Sequence, residues 1–523
     1  MLIDARSLGA GTVIEADLCV IGAGAAGITL ARAFAGTSLQ VAILESGGEE
    51  LEADTQALYV GKNIGLPYYE LDVCRLRYLG GTTNHWGGHC MPFHAYEFEP
   101  REDIPHTGWP ISIKDVESYF PEVAQIVATP KGGWDAAHWE QVLGKKRLPL
   151  DPGLFSTDVH TVWQNRLGEI YRNDLEAMPN VRIYLNANVV EIEVEPNASH
   201  VTRLRVRAGF GPEIAARAKR YVLAAGGIEN PRLLLSSDSV QTEGLGNGHD
   251  LVGRYFTDHN ACKVGTIVPT DPGVDIGFYY KQSVPGGRIF PHLSLTEAAQ
   301  RRERICPVTF ALLPRPDEAY SSPGFASFRS VGRDIKHLRF PDDLGRHVAN
   351  IAGDLGSLAG LAFDTARYGQ VPVERIDVVV ATIPAPNPDS RVTLGEERDP
   401  LGMRRVDVDW RLTPLDKQTV RRSTELLAAE VARAGIGRMQ TIVEGDDLTW
   451  PEDNHGGFHH VCTTRMSADP ADGVVDPDCK VHGIDNLWIA GSSVFATPGI
   501  GTPTFMLIAL ALRLADHLKE KPV

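Results

Sequence analysis

The stretch ADLCVIGAGAAGITLARAFAG, Ala16 to Gly36, followed shortly by VAILE, Val41 to Glu45, decides the fold. Ala16–Ile21 is a short apolar run, the mark of a strand buried on both faces of a parallel sheet. Gly22, Gly24 and Gly27 then form G-x-G-x-x-G, and Ile28–Gly36 carries small and apolar residues at helical spacing. Val41–Leu44 reads as a second strand that ends on Glu45. Strand, glycine turn, helix and strand in that order make a βαβ unit. The first glycine permits the tight turn, the second admits a pyrophosphate against the backbone, and the third lets helix and strand pack closely. The helix start, with Ala26 in its first turn, offers unpaired N–H groups to the phosphates. Glu45, roughly 20 residues on, presents a carboxylate to ribose hydroxyls. The unit specifies a dinucleotide site and leaves FAD and NAD both open.

Outward from this unit the chain is irregular through a glycine-rich segment, Leu79–Phe93. Helical patterns follow over Ile113–Val127 and Gln164–Glu176. Strand-like runs then recur at Val181–Leu185, Val189–Val194, Val201–Ala208 and Arg220–Ala224, the last leading into AAGGIENPRLLLSS. Between Phe256 and Asp453 lie further strand-like runs, such as Ile376–Thr382, and one long amphipathic helix, Lys417–Ala434. The C-terminal part returns to strand, glycine and helix in NLWIAGSSVF and GTPTFMLIALALRLADHL. No repeat period is visible. Nucleotide-domain sequence thus occurs at the start, middle and end, with a second domain inserted between the pieces.

The net charge of −16, from 67 acidic and 51 basic residues, repels phosphate backbones and argues against nucleic acid as a partner. Seven scattered cysteines without a C-x-x-C pair give no metal-site spacing and read as free thiols in a reducing compartment. The longest apolar stretch, Phe505–Leu512, is too short to span a bilayer, and the N-terminus has no signal-peptide pattern. A cytoplasmic enzyme is the default expectation.

Five segments occur in one order: LGGTTNHWGGHCMP, AAGGIENPRLLLSS, VGRYFTDH (Val252–His259), PNPDSRVTL (Pro386–Leu394), and HHVCTTRM (His459–Met466) with Gly473–Thr504. Together they resemble the glucose–methanol–choline (GMC) oxidoreductases, within that family the branch of pyranose oxidase and bacterial sugar dehydrogenases. The resemblance runs through nearly the whole chain, least clearly over 100–175 and 260–375. It implies an α/β fold: a discontinuous Rossmann-like FAD-binding domain with a mixed α+β substrate-binding domain over the flavin. On that division 1–100, 179–258 and 455–523 form the FAD domain, 101–178 a substrate or cap region, and 259–454 the substrate-binding domain.

The resemblance also implies roles. Gly22, Gly24, Ala26, Gly27 and Glu45 match the ADP-ribose site, and Val189 a backbone position near the adenine. Thr83, Asn84 and His85 match the loop beside the isoalloxazine ring. Ala490 and Gly491 match a late glycine turn near the pyrophosphate, and Thr504 the segment at the flavin's pyrimidine end. His459, four positions before Thr463, matches the active-site histidine. Hydride transfer from an alcohol carbon requires a group that takes the hydroxyl proton, and an imidazole titrating near neutrality suits it. His460 is the rival base, since neighbours in an extended segment point to opposite sides.

Two positions depart from the family pattern. Thr502 stands where histidine or asparagine is usual, and a hydroxyl can orient a substrate without acting as a base. Cys462 replaces the glycine of H-x-x-G-T. His85 is in register with the histidine that bonds covalently to flavin in pyranose oxidase; covalent linkage is an open alternative that we do not favour. His89 reads more simply as a pocket or surface histidine. The expected reaction is oxidation of CH–OH on a sugar, glycoside or other polyol, with oxygen, a quinone or a cytochrome as acceptor. The rivals are a non-redox lyase of the same family with structural FAD, and an FAD/NAD(P)H reductase. The second needs another complete glycine motif, and AAGGIEN lacks the spacing.

Overall fold

In the computed structural model, which describes residues 1–315, 322–336, 343–368, 372–443 and 450–520, the strand Val13–Ile21 lies inside an eight-stranded sheet. Its neighbours are Val41–Leu44 and Glu213–Leu223, both parallel to it. Val181–Leu185 and Leu2–Asp4 extend the sheet in parallel on the first side. On the other, the antiparallel pair Val201–Ala208 and Ala187–Val194 adds to the first half of Glu213–Leu223. Leu487–Ile489, far later in the chain, pairs in parallel with its last three residues. Leu18–Ile21, Val41–Leu44 and Arg220–Leu223 are buried throughout, as their apolar runs require. The helix Ala25–Ala33 covers one face and packs against the C-terminal helix Pro503–Glu520, whose apolar side is buried. The discontinuous Rossmann-like domain is therefore assembled from the start, middle and end of the chain.

A second sheet is antiparallel throughout. Its order is Gly437–Thr441, Asn260–Pro269, Arg375–Thr382, Val308–Arg315, Gly287–Leu295, Phe155–Val162 and His89–Cys90. The short strand Gln282–Val284 pairs with Gly287–Leu295. The helix Pro414–Arg433, capped by Thr413 and Asp416, packs against this sheet and buries Val420, Leu427 and Val431 in a separate core. His89–Cys90 already belongs to this sheet, so the chain passes between the two layers within its first hundred residues.

Several elements differ from the sequence expectation. The helical pattern over 113–127 is broken into two short 3₁₀ turns before the helix Phe120–Ile126, which Pro121 can only begin, not interrupt. The pattern over 164–176 splits into Leu167–Ile170 and Arg172–Ala177. Three helices not foreseen, Pro323–Lys336, Leu344–Gly353 and Leu355–Tyr368, lie between the adjacent strands Val308–Arg315 and Arg375–Thr382. Among the described residues no helix is long and apolar enough to cross a membrane. All seven cysteines are buried and free.

Candidate active site

A cavity of about 700 Å³ runs from the glycine turn to the histidines near the C-terminus. At its first end Gly22 has φ +105°, and a Cβ there would stand 2.6 Å from the carbonyl oxygen of Ala224. A Cβ at Gly27 would meet the Gly22 carbonyl oxygen at 2.0 Å, whereas one at Gly24 would enter open space on the cavity side. One glycine therefore serves the turn, one the packing of helix on strand, and one the opening itself. Glu45 accepts from the N–H of Ala23 at 2.8 Å and of Gly47 at 2.9 Å, which ties the strand end to the turn. Gly24 caps a helix whose first N–H groups face this end of the cavity, where an anion is favoured.

Ala26, Thr83, His85, Val189, Gly491 and Thr504 line the same cavity. Gly27, Asn84 and Ala490 do not. Asn84 is buried and donates from its side chain to the carbonyl of Leu79, closing the turn that begins at left-handed Gly80, so it supports the loop from beneath instead of facing a ligand. Ala490 donates its N–H to Leu223 and continues the parallel pairing, which places Gly491 at the wall.

At the other end stand His459, His460, Thr502, His89 and Phe458. The N–H of His459 donates to Asp258 Oδ1 at 3.0 Å, and its ring Nδ1 lies 2.7 Å from Nδ1 of His259. His259 Nε2 lies 2.8 Å from the carbonyl oxygen of Gly499. Because a carbonyl only accepts, His259 carries its proton on Nε2 and offers a lone pair at Nδ1. His459 must then carry its proton on Nδ1, and its Nε2 is left as a bare lone pair. Asp258, fully buried, also accepts from the hydroxyl of Tyr68. Ligand-type atoms of Asp258, His259 and His459 lie within 4.8 Å of one another, and hydrogen bonds already account for all three residues.

Burial, then His259 and His89, hold the His459 imidazole well below its usual range. Burial pushes His460 down to about 4. Burial, with Lys281 and Arg288, pushes His89 down to about 4. All three are neutral near pH 7. The side chain of His459 is 26% exposed. The His460 ring is stacked on Phe256 and set edge-on to Tyr68, with Nε2 buried and without a hydrogen-bond partner among the described residues. Thr502 differs from the expectation of a hydroxyl free to donate: it gives its proton to the carbonyl of His89 and retains only lone pairs for a substrate. Cys462, in the glycine position of H-x-x-G-T, has φ +72°, the region that favours glycine.

Sequence reasoning missed Asp258, His259 and Tyr68. The first two end the VGRYFTDH segment and were legible as motif letters without a role. Tyr68 carries no local signal, because its partner is 190 residues away.

A family model described as GMC oxidoreductase matches residues 386–511, which hold the C-terminal histidines, the late glycine turn and the first half of the last helix. Over that segment the chain matches the GMC oxidoreductases. It is 23% identical to 6'''-hydroxyparomomycin C oxidase of Streptomyces lividus, over 96% of this chain and 92% of that one. It is 24% identical to 2-methyl-1,2-propanediol dehydrogenase of Mycolicibacterium austroafricanum, over 97% and 96%. In fold it resembles the crystal structure of pyridoxine 4-oxidase from Mesorbium loti, with a TM-score of 0.59, 16% identity, and 97% and 100% of the two chains covered. The matched segment and these full-length oxidase and dehydrogenase relatives together make it an FAD-dependent oxidoreductase of the alcohol- and sugar-oxidising kind. The open face of Gly24, the helix start and Glu45 fit an ADP moiety at one end of a cavity long enough to continue to His459.

Proposed function

We propose that the enzyme oxidises a CH–OH group of a sugar, glycoside or other polyol to a carbonyl, with His459 as the base. The observation that supports this most is the hydrogen-bond chain Gly499–His259–His459, which leaves a neutral His459 with its lone pair on Nε2. Bound FAD supplies the hydride acceptor, N5. The substrate hydroxyl gives its proton to His459 Nε2. The imidazolium so formed keeps its Nδ1–H bond to His259 and gains the field of Asp258, whose Oδ1 is 3.9 Å from Nδ1. At an effective dielectric of about 20 that attraction is worth roughly 4 kcal/mol. Thr502 accepts a hydrogen bond from a neighbouring hydroxyl and so orients the substrate. His460 packs as an aromatic wall, its depressed basicity and enclosed Nε2 speaking against a role as base.

We take the FAD to be held without a covalent bond, His85 serving as a wall stacked near Phe458, their ring centroids 6.2 Å apart. We also assign 1–100, 179–258 and 455–523 to the FAD domain and the intervening 101–178 and 259–454 to the substrate side. Anaerobic addition of a panel of sugars, glycosides and simple polyols should bleach the flavin absorbance of the holoenzyme with at least one compound. A lyase would leave the flavin oxidised throughout. Reoxidation in air, set against reoxidation by a quinone or cytochrome, would then identify the acceptor.

A further inference from the structure

The substrate end of the cavity has an unusual charge pattern. Among the described residues the carboxylates on the cavity wall are Glu45 and Glu229, and both lie on the dinucleotide side: Glu45 holds the glycine turn, and Glu229 pairs with Arg75 and Arg77. Asp258 lies beneath His459, fully buried and engaged by Tyr68 and the His459 N–H. The substrate side therefore presents neutral imidazoles, aromatic rings and hydroxyls.

Next to that wall stand two cations. His89, Val162 and Arg288 lie abreast on adjacent antiparallel strands, because His89 and Arg288 are both paired with Val162. Paired residues project from one face of a sheet, and strands lie about 4.8 Å apart, so the backbones of His89 and Arg288 are about 10 Å apart. The guanidinium of Arg288 donates to Gln164 Oε1 at 2.7 Å. Gln164 follows Trp163, whose N–H bonds the carbonyl of Gly88 in the cavity wall. Lys281 is exposed, with Nζ 5.7 Å from the centroid of Phe290, and the His89 ring lies 5.8 Å from the same ring. Among the described residues neither Lys281 nor Arg288 has a carboxylate within 4.0 Å. In a chain of net charge −16 these two cations, without counter-ions among the described residues, set a local positive field beside the reacting end that favours an approaching anion.

We propose that the physiological substrate is a hydroxylated compound bearing an anionic group, a carboxylate or a phosphate, which Lys281 and Arg288 draw to the rim while the alcohol carbon reaches His459. This rests on the oxidation proposed above and narrows its substrate class. Cationic polyols are disfavoured by the same field, with no wall carboxylate on that side among the described residues to receive an ammonium group.

The test is a set of matched compounds given to the holoenzyme under argon: aldonates, uronic-acid glycosides and sugar phosphates, each beside its uncharged parent. Binding is read from the perturbation of the flavin spectrum and chemistry from its bleaching. We expect at least one acid or phosphate to bind about tenfold more tightly than its parent at 20 mM NaCl, with the preference shrinking at 200 mM. The arm that prevails, carboxylate or phosphate, names the group. In the double variant Lys281→Gln, Arg288→Gln the charged-to-neutral ratio should fall to near one. Equal or better binding of the neutral parents, or a ratio untouched by the double variant, would overturn the proposal. Salt-sensitive binding of acids without any bleaching would support the anion rim and instead refute the oxidation reading.

Discussion

The two glycines of the turn separate folding from cofactor binding. In Gly27→Ala the new Cβ would stand 2.0 Å from the Gly22 carbonyl oxygen and 3.0 Å from its carbon. Carbon and oxygen in contact sit more than about 3 Å apart, so the helix Ala25–Ala33 must slide by about 1 Å against a buried strand. Overpacking of this kind, backbone against backbone, costs about 3 kcal/mol. Alanine in a helix recovers about 1 kcal/mol over glycine. The net loss is about 2 kcal/mol, roughly a thirtyfold shift toward the unfolded state. Gly24→Val meets no protein atom within 4 Å, and its cost to folding is the weaker helix cap, at most about 1 kcal/mol. Its side chain enters the opening, so FAD affinity should fall at least about a hundredfold, equivalent to 2.7 kcal/mol. Urea unfolding of the apoproteins by far-UV circular dichroism reads the first effect, and titration of apoprotein with FAD the second. Unfolding of Gly27→Ala at the wild-type midpoint, or uptake of FAD by Gly24→Val as tight as wild type, would refute these separate duties of the two glycines.

Three further outcomes follow from the site. His460, whose basicity is depressed in the fold to about 4, withholds a proton that the unfolded chain accepts near 6.5, so its contribution is intact above pH 6.5 and lost as pH falls toward 4. His460→Phe should therefore gain stability relative to wild type by about 3 kcal/mol between pH 7 and pH 4, measured by urea unfolding at each pH; a constant difference would show that His460 is not held neutral. Acid precipitation of the wild-type holoenzyme should leave a colourless pellet, and yellow protein in the pellet that disappears in His85→Ala would establish a covalent bond instead. Thr502→Asn restores an amide that can both donate and accept, so the dissociation constant for simple sugars should tighten several-fold in anaerobic titrations; weaker binding would mean that the pocket is shaped around the threonine hydroxyl bonded to His89.

The βαβ unit was legible because its causes are local: an apolar run, three glycines with separate steric duties, and an acid at a strand end. Glu45 and Gly24 could be read without any tertiary information. The second sheet was not, since Phe155–Val162 finds Gly287–Leu295 and His89–Cys90 across more than sixty residues on either side. Nor were the orientations of Asn84 and Thr502, because a short polar side chain turns toward whichever carbonyl the backbone leaves open, here Leu79 and His89. His459 could be singled out by motif, but its tautomer depends on His259, 200 residues earlier, and on Gly499 beyond it.

The role of His459 as the base is read from anaerobic stopped-flow reduction of the flavin by a bleaching substrate, in wild type and in His459→Ala. The variant should fold and bind FAD, since its side chain is one partly exposed imidazole on the cavity wall. Its limiting rate of reduction at pH 7.5 should fall about 10²–10⁴-fold, the contribution of a positioned general base. Reduction by His459→Ala at the wild-type rate, with His460→Ala inactive, would contradict the account and move the base to His460.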